Sequence, residues 1–174
     1  MNNLDDLKLV DSHMIRISDY NINHKILEPT EVSDYDYDPN NPNRRFLCTY
    51  IHKLEIQDRF TDEEIISINF SSEVCAEIVS HLYGILYSAD PNISPIIDNI
   101  YYDKSKYPIQ LAIINQSFDR HHVRMKLSFI DNNNMEIATL ILDRELDIET
   151  LILMLDNSDD IMGSYIDEDT YNLY

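Results

Sequence analysis

Across residues 108–143 apolar side chains recur at every second position, and this period constrains the fold more than any other feature. Ile109, Leu111 and Ile113 alternate with polar or small neighbours. Val123, Met125, Leu127 and Phe129 alternate with His122, Arg124, Lys126 and Ser128. Successive side chains on a strand point to opposite faces, so this pattern builds a sheet with one apolar and one solvated face. Antiparallel sheets have that character. Asp131-Asn132-Asn133-Asn134 makes the turn into a third strand, Glu136 to Leu142, because Asn and Asp tolerate positive φ.

Upstream the period changes. Val74, Ile78, Leu82 and Ile85/Leu86 recur every three or four residues, which is a helical stripe. Ser71 or Ser72 can cap its first turn, and Asp90-Pro91 ends it. A second helix, capped by Asp147, carries Leu151, Ile152, Met154 and Leu155. Two further strands are expected before the first helix. One holds Phe46, Cys48 and Tyr50 on one face, and the other runs from Ile65 to Phe70. Residues 89–107 read as a short helix or an ordered loop. The expected fold is therefore α+β, a mainly antiparallel sheet of about five strands with two principal helices packed on one face. Residues 1–44 form a polar, partly irregular segment, 45–156 the core domain, and 157–174 an acidic, tyrosine-containing tail. No internal repeat is visible.

Charge decides the class of partner. Thirteen basic against 32 acidic residues give −19 over 174 residues. Binding to DNA, RNA or an anionic membrane needs Lys and Arg against phosphate, so direct contact with any of them is not expected. A basic protein would instead be steered toward this chain. The N-terminus lacks a basic segment and an apolar run, so a secretory leader is not expected and the location reads as cytoplasmic. Cys48 and Cys75, far apart and without CxxC spacing, read as small buried hydrophobes.

Catalytic and metal motifs fail on inspection. Asp34, Asp36 and Asp38 match the first three ligand positions of an EF-hand, but Pro39 stands where glycine belongs and Arg45 where glutamate belongs. A second candidate at Asp156 places Ile161 at the glycine position. His13, His24, His52, His81 and the pair His121-His122 form no ligand spacing. Two glycines cannot build a phosphate-binding loop. No catalytic residue, metal ligand or cofactor is therefore assigned. The run from residue 72 to 156 resembles the double-stranded-RNA-binding domain in topology. That family's last helix begins with lysines, whereas Asp147 and Glu149 stand here.

Two segments mix carboxylates with phenols. One is Asp34, Tyr35, Asp36, Tyr37 and Asp38. The other holds Asp156, Asp159, Asp160, Tyr165, Asp167, Glu168, Asp169, Tyr171 and Tyr174. Carboxylates pair with arginine forks, and tyrosine supplies rigid contact area with a polar tip. Together with the charge, the Asn-rich hairpin at 131–134 and the helix after it, these features resemble the small acidic inhibitors made by phages, including anti-CRISPR and other DNA-mimic proteins. The resemblance covers mainly residues 120–174. It implies a non-enzymatic inhibitor that occupies the nucleic-acid-binding groove of a nuclease or related effector in a bacterial or phage-infected cell. The alternatives are an immunity protein neutralising a toxin and a structural or assembly subunit.

Overall fold

The helix expected from the first stripe forms as α1 (Ser72–Tyr87), and it buries Val74, Cys75, Ile78, Val79, Leu82 and Ile85. Ser71 caps it, its hydroxyl accepting from the Val74 N–H at 3.3 Å. The computed structural model describes residues 7–28, 33–35, 45–47, 50–87, 94–118, 121–156 and 165–167, with the three short segments described by their backbone alone.

Before α1 come β1 (Lys8–Ile17), β2 (Tyr20–Glu28), β3 (Ser33–Tyr35), β4 (Arg45–Leu47), β5 (Ile51–Asp58) and β6 (Glu64–Ser71). After it come β7 (Ile96–Tyr102), β8 (Ile109–Asn115), β9 (Met125–Ile130), β10 (Glu136–Leu142), α2 (Glu145–Asp156) and β11 (Tyr165–Asp167). Eight strands form one sheet in the order β1-β2-β5-β6-β7-β8-β9-β10, and β11-β4-β3 form a small second sheet. Every pairing is antiparallel. Leaving the small sheet aside, the chain runs through four strands and a helix, then through four strands and a helix again. The repeat is one of topology and has no counterpart in the residues. The two halves join through two paired positions, Ile68 with Tyr102 and Asn69 with Tyr101.

The fold is α+β, but its main sheet has eight strands, not about five. The three extra strands are β1, β2 and β7, and one expected strand also divides between the two sheets. β1 and β2 precede the first expected strand, and the inward row of β2 reads Ile22, His24, Ile26, so a histidine interrupts the apolar alternation. The expected strand at Phe46–Ile51 splits. Phe46 falls on β4 in the small sheet, while β5 enters the core through His52, Leu54 and Ile56. β7 occupies the stretch read as helix or loop. Its buried residues, Ile97 and Ile100, are three apart because the register shifts between them and Asn99 takes φ 63°. A bulge of this kind erases period two from the sequence.

Inward residues of all eight strands meet the buried sides of both helices in a single core. α2 packs on α1 and on both edge strands, β1 and β10. The two ends of the sheet are also tied directly, since the Ile141 N–H donates to the Tyr20 hydroxyl at 3.1 Å. Tyr20→Phe should therefore lower stability by about 1 kcal/mol, the net value of one such bond. An unchanged urea midpoint would show that the tie contributes nothing.

Outward positions on β9 are less open than the alternation implied. Ser128 is buried and donates to Glu136 at 2.8 Å, while Lys126 pairs with the same carboxylate at 3.3 Å. Asp147 is also not the cap of α2, which starts two residues earlier. Its buried carboxylate instead accepts both Nε and Nη2 of Arg144, at 3.0 and 2.9 Å. The first turn closes through the Asp147 and Ile148 N–H groups on the Arg144 carbonyl. With two glycines in the whole chain, tight turns fall to Ser18, Asp62 and Asn134, all at positive φ.

Candidate partner-binding surface

Charge is segregated between the layers. α1 and α2 carry Glu73, Glu77, Glu145, Asp147, Glu149 and Asp156, and neither helix contains Lys or Arg. Arg144, just ahead of α2, is already held by Asp147, which raises the guanidinium pKa further. Acids in the first turn suit the helix dipole, but neither helix has a cation in its last turn and α2 ends on Asp156.

On α1 the positions opposite the apolar stripe present Tyr83 and Tyr87, one turn apart, with ring centroids 5.8 Å apart and planes at 24°. On α2, Glu145, Leu146, Glu149 and Leu153 lie outside the buried set and share the solvent side. Tyr87 is 66% exposed, Leu146 63% and Leu153 55%, although all belong to ordered helices. The helices bring these groups together. The Tyr87 phenol is raised above its ordinary pKa, first by desolvation and then by the charges of Glu149, Tyr83 and Glu145. The solvent sides of the two packed helices thus present two phenols, two carboxylates and two exposed leucines. Such a surface can accept arginine or lysine while its apolar parts exclude water.

Apart from Asp156, the described residues of the acidic segments noted in the sequence lie elsewhere. Asp156 is the half-buried last residue of α2. Asp34 and Tyr35 fall on β3 and Asp167 on β11, the two strands that flank β4. Tyr35 and Asp167 are both opposite Arg45, so two segments 130 residues apart meet on one small sheet. Asp36, Tyr37, Asp38, Asp159, Asp160, Glu168 and Asp169 lie outside the described residues, as does Cys48. Sequence reasoning missed Tyr83, Tyr87, Glu145 and Glu149. The available signal was the lack of any cation in both helical stretches.

Other features offer less. An open polar cleft of about 510 Å³ is lined by Asp98, Asn99, Gln110, Asp131, Asn132 and Asn134. Asp98 is bound by Gln110 at 2.6 Å, and one Asp131 oxygen accepts the Asn133 and Met135 N–H groups. Among the described residues, no three His, Cys, Asp or Glu side chains are grouped to hold a metal. Among them too, no helix is long and apolar enough to cross a membrane. Cys75 is buried on α1, and its thiol is directed at the Leu155 carbonyl, 3.8 Å away.

No protein family's sequence profile matches the chain. No curated protein matches it in sequence either. Among solved structures, the plant transcriptional regulator PBF-2 is similar at 12% identity and a TM-score of 0.45, over 87% of this chain and 89% of the other.

Proposed function

We propose that this chain is a non-enzymatic inhibitor that binds the basic, nucleic-acid-binding surface of a protein effector, such as a CRISPR or other defence nuclease. One observation carries the reading. A strongly acidic chain concentrates carboxylates without Lys or Arg on two packed helices and sets exposed tyrosines among them. In this reading Glu145 and Glu149 stand in for phosphates and meet guanidinium or ammonium groups. Tyr83 and Tyr87 supply the large, low-entropy contact area. The helices hold these groups in place before contact, so little ordering cost is left at binding. The charge of −19 speeds encounter from a distance, and salt screens that attraction. The small sheet carrying Asp34 and Asp167 is a second acidic segment for the same role.

A pull-down from cells of the natural host, at about 50 mM and about 500 mM salt, tests this. A basic nuclease or nucleic-acid-binding complex, retained at low salt and eluted at high salt, is the expected result. Capture of a toxin domain would favour an immunity protein. Recovery of only the chain itself, indifferent to salt, would replace the reading with a structural subunit.

A further inference from the structure

His24 on β2 and His52 on β5 are both 0% exposed. His24 Nε2 and His52 Nδ1 are 2.7 Å apart, close enough to share one proton. The rings stack at 5.0 Å and 14°, and His52 stacks in turn on Phe70 at 5.4 Å and 3°. The outer nitrogens, His24 Nδ1 and His52 Nε2, have no hydrogen-bond partner. Orphaned buried polar atoms are expensive, and native proteins keep few of them.

The surroundings do little to welcome a further proton. Acting on His24 are His13 on β1, which repels a proton, the Met154 carbonyl on α2, and Asp11 on β1 as the weakest contribution. The Met154 carbonyl favours a proton but does not reach hydrogen-bond geometry at Nδ1. Asp11 is already paired with His13 at 2.8 Å. On His52 the one charged neighbour that acts is His24 itself. Burial, first in both cases, lowers His24 to about 4 and His52 to about 3.

We infer that the His24–His52 pair is a proton-sensitive latch that keeps α2 seated on the sheet. While the rings share one internal hydrogen bond as neutral groups, the core closes over them and α2 packs across the sheet edges. A proton added to the pair places charge between β2, β5 and α2 with no carboxylate to receive it. The structure then opens where the Met154 carbonyl of α2 faces His24, and the surface carried by α2 goes with it. The release does not depend on the proposed function. Only its consequence, loss of a basic partner on acidification, rests on that reading.

The sign follows from linkage. In the unfolded chain each histidine takes its proton near pH 6.5, whereas in the fold it resists until about 4 or 3. Stability is therefore full above pH 6.5 and falls as pH drops through the interval below it. Two extra protons on the unfolded chain raise the unfolding constant by up to about 100-fold per pH unit. Urea unfolding at pH 7.5, 6.5, 5.5 and 5.0 should show a rise approaching 1,000-fold over the series, on the order set by two such groups. The double variant His24→Leu with His52→Phe leaves no orphaned partner, so it should fold and show a rise of less than about 10-fold. Hydrogen exchange at pH 5 should show residues 145–156 of the wild type losing protection before β8 and β9. Proton-carbon NMR of the wild-type rings provides a reading that needs no variant. Either ring titrating near 6.5 in the folded protein, equal pH slopes for both proteins, or loss of α2 protection only together with β8 and β9 would overturn the latch.

Discussion

Leu82→Ala should lower the unfolding free energy by about 4 kcal/mol, near the upper part of the range for buried leucine truncations. Leu82 is fully buried on α1 and borders a small apolar void of about 20 Å³, together with Ile22, Leu54, Leu111, Leu127 and Leu151. These neighbours come from β2, β5, β8, β9 and α2, so no single element can shift to fill the space. The cost of truncation grows with the cavity that remains, and a site already bordering a void collapses poorly. Against a net stability of roughly 5–15 kcal/mol, this loss would leave a marginal fold and lower Tm by roughly 10 °C. Leu153→Ala is the matched control. It removes the same atoms from a side chain 55% exposed on α2 and should change stability by less than about 0.5 kcal/mol. Urea unfolding of the two variants reads the difference. Equal losses would mean that α1 does not close the core as described.

Reversing two charges on the helix surface has the second large expected effect. Glu145→Lys with Glu149→Lys changes the net charge by +4, from −19 to −15. It also sets two ammonium groups within electrostatic reach of Tyr87. Binding to the basic partner proposed above should weaken by about 100-fold or more at low salt, as expected when a complementary pair of contacts becomes repulsive. Reversing Lys104 and Lys106 to Glu, in the β7–β8 turn, should leave binding within about threefold, on the scale of distant charges under screening. The helix start loses favourable dipole interactions worth roughly 0.3–1 kcal/mol each, so the fold should survive. Affinity measured against salt concentration separates the two cases. Unchanged binding in the helix variant, with loss on reversing Asp34 and Asp167, would move the interface to the small sheet.

Much of the second half of this fold was legible because period and environment agree there. Leu111, Leu127 and Leu140 sit where alternation places them, and the turn at Asn134 has the positive φ that its residue type tolerates. The first half was obscured by polar residues at inward positions. His24 and His52 occupy core sites that a hydrophobicity pattern assigns to solvent, and a residue type alone does not reveal that two imidazoles satisfy each other across strands. β7 was obscured differently, by an irregularity that moves Ile97 and Ile100 out of period two. The acidic and aromatic character of the chain was plain in the residues, but it drew attention to segments that are conspicuous in sequence. The helix surface shows no such run, because its tyrosines are four apart on α1 and its carboxylates four apart on α2.

By itself the sequence determined the charge, the α+β class, both helices and the three-strand meander before α2. Each of these depends on composition or on the geometry of a single element, where side-chain period follows directly from backbone repeat. Only the tertiary structure decided that the charge of Glu149 acts on Tyr87, that Tyr35 and Asp167 share Arg45 as a neighbour, and that His24 meets His52. Those pairings join residues dozens of positions apart. They are set by which elements pack together to bury the common core, and no local period encodes that choice.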